Sequence, residues 1–383
     1  MTDSASTSTS ANWESGLAEV AATLLTVQDL TVGFRTDQGL VRAVDGVSFD
    51  LEVGQTIGIV GESGSGKTVT AKALMNLLPS YAQVEGTVSF GDRDVFAMAA
   101  NREKHFWGVE MTMVFQDPMT SLNPVKRVGE QIAESLRVHL NRGRRDALTE
   151  AGDLLEQVGI PEPGKRLTQY PHELSGGLRQ RVVIAMALAC GPRLLIADEP
   201  TTALDVTIQK HILDLLDDLR RERDMAMILI THDLGVVKGR ADEIMVMYAG
   251  HTMEEAPTAT LFAEMRHPYT EALLETIPKI DTPSHTRLVP IPGRPPEVIE
   301  ITEGCPFAPR CRYSIGKCLT DRPGLTSHGS GHMCACHAPV GTPSGSEARA
   351  ANESVGTTAA GLDMDQFTRR VTVADVAPLR AED

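Results

Sequence analysis

The stretch GESGSGKT, residues 61–68, has the spacing G-x-x-x-x-G-K-T and lies between a β-rich apolar run and a helical segment. In this context the glycines let backbone N–H groups surround a polyphosphate, and the following helix presents the positive end of its dipole. The lysine supplies charge to the β and γ phosphates, and the threonine hydroxyl is a ligand for Mg²⁺. The predicted nucleotide-binding residues here are Gly61, Glu62, Ser63, Gly64, Ser65, Gly66, Lys67 and Thr68.

Two adjacent carboxylates end the apolar run LLIADEP, residues 194–200. A buried strand that ends in this way places them at the sheet edge where parallel α/β proteins bind ligands. We predict that Asp198 holds Mg²⁺ and that Glu199 orients and polarises the attacking water. Alone, such a pair is typical of the start of a helix, but downstream of a phosphate loop it indicates a hydrolytic site.

A third motif, LSGGLRQR at residues 174–181, lies between the first two. Ser175, Gly176 and Gly177 would form an anion site at the N-terminus of a helix, although Ser-Gly-Gly alone is more typical of an ordinary serine cap with a glycine hinge. With the other two motifs in this order, the stretch resembles the signature sequence of ABC-type ATPases.

This resemblance implies roles for four further residues. Gln116 in VFQDP resembles the Q-loop glutamine that reaches Mg²⁺ and water, and Asp205 in TTALD resembles the D-loop aspartate. His232 in ILITHD resembles the switch histidine that contacts the γ-phosphate. Phe34 is the implied aromatic that stacks on adenine, with a role in the core as its alternative. The implied catalytic residues are Glu199, His232, Gln116 and Lys67, and the implied ligands of Mg²⁺ are Thr68, Gln116 and Asp198.

The elements that must position these residues follow from the apolar periodicity. Short β-rich runs over residues 24–60 predict an antiparallel β layer that leads into a buried strand, and three-and-four spacing after residue 122 predicts helices. Two short apolar runs that flank a helical segment, over residues 193–231, predict a βαβ unit with parallel strands. The expected fold is therefore an α/β P-loop NTPase with a RecA-like parallel-sheet core, an antiparallel β layer, a helical subdomain and a Cys-rich C-terminal extension.

We predict four regions along the 383 residues. A disordered lead is expected over residues 1–22, and a nucleotide-binding domain over 23–276, with its helical subdomain at about 124–188. An extension is expected over 277–339 and a mostly disordered tail over 340–383. The lead shows no secretory signal, and no apolar run is long enough to span a bilayer. The net charge of −15 argues against nucleic acid as a partner.

Segments around these motifs carry a narrower resemblance. QDPMTSLNP, RHPYTEALLETIP and IPGRPPEV resemble the ATPase subunits of dipeptide, oligopeptide and nickel importers. The resemblance implies a second ABC ATPase subunit, more often a paralogue than a copy, two membrane permease subunits and, indirectly, an extracytoplasmic substrate-binding protein. The expected location is peripheral, on the cytoplasmic face of the bacterial plasma membrane. Nickel, glutathione or glycoside cargo, and an ABC ATPase outside transport, are alternatives to peptide import.

Five of the six cysteines follow this core. Their spacing matches neither zinc-finger nor ferredoxin patterns and indicates only a four-thiolate metal site. The resemblance to importer subunits implies a 4Fe-4S cluster on Cys305, Cys311, Cys318 and Cys336. A Zn²⁺ site that uses His332 or His337, and thiols without a metal, are the alternatives.

Overall fold

The computed structural model describes residues 22–37, 39–101, 103, 105–202, 204–277, 290–295 and 303–367. The lead predicted over residues 1–22 lies outside these ranges except for Ala22, and so do residues 368–383 of the predicted tail. Among the described residues, no helix has the length and apolar character needed to cross a membrane.

The described strands form two sheets. The strands are β1 (Thr23–Thr36), β2 (Gly39–Glu52), β3 (Thr56–Val60), β4 (Ala82–Phe90), β5 (Arg93–Asp94), β6 (Met111–Val114), β7 (Leu194–Asp198), β8 (Ala226–Thr231), β9 (Glu243–Tyr248), β10 (His251–Pro257), β11 (Thr326–Ser327) and β12 (Met333–Cys334). The larger sheet has the order β11-β12-β10-β9-β3-β8-β7-β6, and the smaller has the order β2-β1-β4-β5.

The centre of the larger sheet is parallel. Strand β3 pairs in parallel with β8 and β9, and β7 pairs in parallel with β6 and β8. Every residue of β3, β7 and β8 is buried, as continuous apolar runs predict for strands covered on both faces. The strands that precede the phosphate loop, the paired carboxylates and His232 therefore lie side by side and end at one edge, which is where an open parallel sheet binds its ligand.

Helices cover this sheet and form the helical subdomain. They are α1 (Lys67–Leu74), α2 (Val95–Ala100), α3 (Pro118–Ser121), α4 (Val128–Leu140), α5 (Arg144–Gln157), α6 (Pro163–Arg166), α7 (Gly176–Leu188), α8 (Val206–Glu222), α9 (Leu234–Val237), α10 (Thr258–Glu264), α11 (Pro268–Glu275), α12 (Gly316–Thr320) and α13 (Pro343–Val355). Short 3₁₀ turns lie at Pro171–Glu173, Ala308–Arg310 and Met364–Phe367. Helices α4, α5 and α7 bury Ile132, Leu155 and Val182 in one apolar cluster with the sheet.

The antiparallel layer packs on the other side of the parallel strands. Strand β1 lies between β2 and β4, and its buried Val27 faces Phe49 on one side and Val88 on the other. These side chains share a second apolar cluster with Ile57 and Ile59 of β3. The layer thus fixes the strand that leads into the phosphate loop.

The extension continues the larger sheet instead of standing apart from it. Strand β12 pairs with β10, where Cys334 lies opposite Glu254. Beyond it lies α13, which begins at a Thr342 side-chain cap and ends at Gly356 with a positive φ of 84°. Asn352 of this helix donates to the backbone carbonyls of Arg312 and Ser314 at 3.0 Å each. The mostly disordered tail predicted over residues 340–383 instead contains α13, which these bonds attach to the extension.

Candidate functional site

The phosphate loop runs from the end of β3 to the start of α1. Gly66 precedes α1 with a φ of 101°, and a Cβ atom there would lie 2.5 Å from the carbonyl oxygen of Ala43, so only glycine fits. The Lys67 ammonium is buried within the loop and donates to the carbonyls of Gly61 and Glu62, at 2.7 and 2.9 Å, and to the Ser65 hydroxyl. Burial lowers the pKa of Lys67, although Glu199 and Asp198 oppose this shift.

Two side-chain oxygens that are predicted to hold Mg²⁺ lie together at the end of this loop. The Thr68 hydroxyl donates to Asp198 Oδ1 at 3.1 Å. Asp198 is 2% exposed, and burial raises the pKa of its carboxyl. Mg²⁺ takes hard oxygen ligands and usually only one or two carboxylates, so this pair fits the predicted ion. The third predicted ligand, Gln116, instead bonds to the neighbouring carboxylate.

Three side chains converge on Glu199. The Gln116 amide and the Thr202 hydroxyl each donate to Glu199 Oε2 at 2.8 Å, and His232 Nδ1 lies 3.4 Å from Oε1. The backbone of Glu199 has a φ of 45°, in the left-handed region that non-glycine residues seldom occupy. Its N–H donates to the carbonyl of Ile230 at 2.9 Å, which ties this conformation to the end of β8. Strained backbone of this kind is typical of functional sites.

Sequence reasoning missed Thr202 in this group. It lies three residues after Glu199, in the turn that ends β7. Ser and Thr are so common in turns that the residue type gave no signal, and only the spacing of three to a predicted catalytic carboxylate could have drawn attention to it.

The signature segment contacts the start of α8. Ser175 stands at the N-cap position of α7, and its side chain makes no capping hydrogen bond. A Cβ on Gly177 would lie 3.0 Å from a methyl of Ile208, and one on Gly176 would lie 3.5 Å from a methyl of Leu204. Asp205 caps α8 by accepting from the N–H of Ile208 at 2.9 Å. The structure thus brings the predicted signature and D-loop residues together at one place.

Phe34 lies on β1 and is half-buried. Its ring stands edge to face with Tyr81, with 6.2 Å between the centroids. Tyr81 is 64% exposed and was not predicted from sequence. An aromatic pair with an exposed member offers a surface for a flat ring, and the stacking role of Phe34 stays a prediction.

The predicted cluster ligands are buried or half-buried, and none forms a disulfide. Burial raises the pKa of Cys305 to about 11 and of Cys336 to about 12, and it raises the pKa of Cys311 well above its ordinary value; neighbouring thiols add to each shift. Cys334 is held in β12 instead. In the part of the chain that the structure describes, however, no three His, Cys, Asp or Glu side chains are grouped so as to hold a metal ion. The structure therefore gives the predicted 4Fe-4S or Zn²⁺ site no geometric support.

Comparison with known proteins agrees with the geometry of the nucleotide site. Residues 44–202 match the ABC transporter family model, and residues 253–318 match the model for the oligopeptide/dipeptide transporter C-terminal region. The second match includes the first three predicted cluster cysteines but ends before Cys336.

Individual relatives cover most of the chain. It is 48% identical to the oligopeptide transport ATP-binding protein OppD of Escherichia coli over 320 residues, which are 84% of this chain and 94% of that protein. It is 47% identical to the dipeptide transport ATP-binding protein DppD of Bacillus subtilis over 315 residues, 82% of this chain and 94% of that protein. Among solved structures, the dimeric bacterial ABC transporter cassette MJ0796 matches with a TM-score of 0.54 at 25% identity, over 61% of this chain and 99% of that one. The chain therefore belongs to the oligopeptide/dipeptide family of ABC transporter ATP-binding proteins.

Proposed function

We propose that this chain hydrolyses ATP to power the import of oligopeptides or dipeptides through a separate membrane permease. The observation that carries the ATPase part is the convergence of Gln116, Thr202 and His232 on Glu199, next to the Thr68 and Asp198 oxygens. Peptide cargo is supported by the match of residues 253–318 and by the names of the relatives.

The proposed chemistry is phosphoryl transfer to water. Backbone N–H groups of the phosphate loop and the Lys67 ammonium hold the triphosphate, and His232 contacts its γ-phosphate. Glu199 orients the attacking water, while Gln116 and Thr202 fix the direction of its carboxylate. Thr68, Asp198 and the amide oxygen of Gln116, whose amide nitrogen donates to Glu199, would hold Mg²⁺, which when bound neutralises charge on the phosphate oxygens. Asp205 would complete the nucleotide site as the D-loop aspartate, and Phe34 would stack on the adenine ring.

The proposed site needs a second ATPase subunit. Ser175, Gly176 and Gly177 lie beside the start of α8. The Ser175 side chain makes no capping hydrogen bond, which supports the proposal that it binds a phosphate of ATP held by the partner subunit. We propose a paralogue as that partner. Two permease subunits and, indirectly, a substrate-binding protein would complete the importer, with this chain peripheral on the cytoplasmic face of the membrane. The domain boundaries at residues 22 and 276 are proposed with it.

Purification of the chain with its partner subunits and permease in lipid vesicles tests this function. We expect ATP hydrolysis that a peptide-loaded binding protein stimulates, and we expect Lys67→Ala to abolish it. Lys165→Ala is the matched control, because the Lys165 side chain is 61% exposed and pairs with the similarly exposed Glu162. Failure to hydrolyse ATP would refute the proposed ATPase activity. Stimulation by nickel, glutathione or a glycoside, but by no peptide, would show that the transported substrate is one of these instead of a peptide.

We also propose that Cys305, Cys311, Cys318 and Cys336 bind a metal, with 4Fe-4S as the first choice and Zn²⁺ as the second. Support comes from the burial of these cysteines and from the effect of neighbouring thiols on their pKa values. The positions of the described side chains do not support the proposal, because no three His, Cys, Asp or Glu among them are grouped around a metal position. Anaerobic purification followed by iron, sulfide and zinc analysis decides the matter. A protein without stoichiometric metal would refute this proposal and leave the ATPase proposal untouched.

A further inference from the structure

An arginine of the extension reaches the phosphate loop. Arg310 is 3% exposed, and its two terminal nitrogens contact the two carboxylate oxygens of Glu62, one at 2.5 Å and the other at 3.1 Å. The two residues are 248 positions apart, and Glu62 is the second residue of the phosphate loop. A bidentate pair of this kind fixes direction as well as distance.

The guanidinium is itself held in place by the structure around it. Arg310 Nε donates to the carbonyl of Pro292 at 2.9 Å, and a terminal nitrogen donates to the Tyr248 hydroxyl at 3.1 Å. The guanidinium carbon of Arg310, Cζ, also lies 5.8 Å from the centre of the Tyr248 ring. A buried charge with its donors satisfied on several sides has little freedom to turn away, so Arg310 is a rigid anchor.

Glu62 is bound at three points. Its side chain accepts from Arg310, its N–H donates to the Tyr269 hydroxyl at 2.8 Å, and its carbonyl accepts from the Lys67 ammonium at 2.9 Å. The rings of Tyr248, Tyr269 and Phe307 pack against one another with centroids 4.7 to 5.3 Å apart, which joins these contacts into one unit. The extension thereby holds the residue whose carbonyl contacts the phosphate-binding lysine.

We infer that Arg310 is a positioning residue for ATP, acting through Glu62 on the phosphate loop. This inference rests on the proposed ATPase function. Without the pair, the loop has to be ordered when ATP binds, and Glu62 leaves an unbalanced negative charge beside the triphosphate. Couplings between sites are typically about 5- to 150-fold in affinity, and we expect a loss of about tenfold for Arg310→Met.

Calorimetric titration of the full chain with MgATP tests the inference, together with thermal unfolding without nucleotide. Glu62→Gln should weaken binding several-fold, and the double variant should bind no more weakly than Arg310→Met, because both changes break one interaction. Arg310→Lys keeps the positive charge but cannot make the two-pronged contact with the carboxylate. Its affinity for MgATP should therefore fall between those of the wild type and Arg310→Met.

Arg312→Met is the matched control. Arg312 lies in the same extension and pairs with Glu271 and Glu275, neither of which belongs to the phosphate loop. We expect the ATP affinity of Arg312→Met to stay within about twofold of the wild type, which is less than the roughly fivefold change that marks coupling between sites. Equal losses in Arg310→Met and Arg312→Met, or wild-type affinity in a folded Arg310→Met, would overturn the inference. If Arg310→Met does not fold, wild-type affinity in Glu62→Gln overturns it. A wild-type chain that does not bind ATP would instead refute the proposed function.

Discussion

The side-chain amide of Gln116 donates a hydrogen bond of 2.8 Å to the carboxylate of Glu199. Gln116 lies just beyond β6 and leads into α3 and the helical subdomain, whereas Glu199 lies just beyond the neighbouring parallel strand β7. This bond is a direct link between the segment that enters the helical subdomain and the proposed catalytic carboxylate. A displacement of that segment therefore acts on Glu199 without an intermediate residue.

Replacement of Glu199 by glutamine should separate ATP binding from hydrolysis. The amide keeps the shape of the side chain but removes the charge that polarises water, so we expect hydrolysis to fall about 10²- to 10⁴-fold. Binding of MgATP should persist in a calorimetric titration. Glu162→Gln, at a side chain that is 62% exposed, serves as the control. Hydrolysis within about threefold of the wild type would remove Glu199 from the role of general base.

Thr202→Val should reduce kcat and leave KM for ATP nearly unchanged. The substitution removes the hydroxyl that donates to Glu199 at 2.8 Å while it conserves volume. Hydrogen bonds to charged groups contribute about 1.5–3 kcal/mol, so we expect a loss of kcat of about 10- to 150-fold in steady-state assays. Thr202→Ser should recover most of the rate. An equal loss in the serine and valine variants would show that the hydroxyl is not what matters.

Two glycines of the phosphate loop should respond differently to alanine. A Cβ on Gly61 would lie 2.1 Å from the carbonyl oxygen of Met247, which is a backbone clash, whereas one on Gly64 meets nothing within 4 Å and only strains a φ of 80°. We expect Gly61→Ala to abolish ATP binding and lower the melting temperature. Gly64→Ala should cost only about 1–2 kcal/mol of stability. Similar melting temperatures for the two variants would contradict this steric account.

The motifs could be predicted from sequence because each is a local arrangement in which spacing and neighbouring periodicity determine the geometry. The phosphate loop follows a strand and opens a helix, as its glycines require. The Arg310–Glu62 pair could not be predicted, because nothing local to either residue identifies a partner 248 positions away. Helix α13 was missed because its buried positions are Gly345, Ala348 and Asn352, and one small apolar side chain among three does not make an apolar period.

The half-buried carboxyl of Glu255 should make the protein less stable as pH rises. Burial, with Glu243 and Asp50 nearby, raises the pKa of Glu255 to about 7 from an ordinary 4.5. A raised pKa in the folded state contributes stability that is complete below pH 4.5 and is lost as pH rises through about 7. Glu255→Gln should therefore raise stability at pH 8 by up to about 3 kcal/mol, and by little at pH 5. Thermal unfolding at both pH values checks this; an equal effect at both would contradict it.

His267 should produce the opposite trend at low pH. Complete burial lowers its pKa to about 4 from 6.5, so its contribution to stability is present above pH 6.5 and is lost as pH falls toward about 4. Its Nδ1 caps α11 by accepting from the N–H of Tyr269 at 3.0 Å. Asparagine can replace this cap without titrating, so His267→Asn should flatten the melting temperature between pH 6.5 and 4.5. An unchanged slope in that variant would assign the acid sensitivity to other groups.

The pairing of β12 with β10 sets an order of events during synthesis. Strand β10 lies at residues 251–257, and its outer neighbour is made only when residues 333 and 334 leave the ribosome. Until then the nascent chain carries an open strand edge, and such edges template association with other chains. A chain that ends near residue 277 would keep that edge permanently. Strand β12 thus covers Glu254 and Glu255 of an edge that would otherwise be open to other chains.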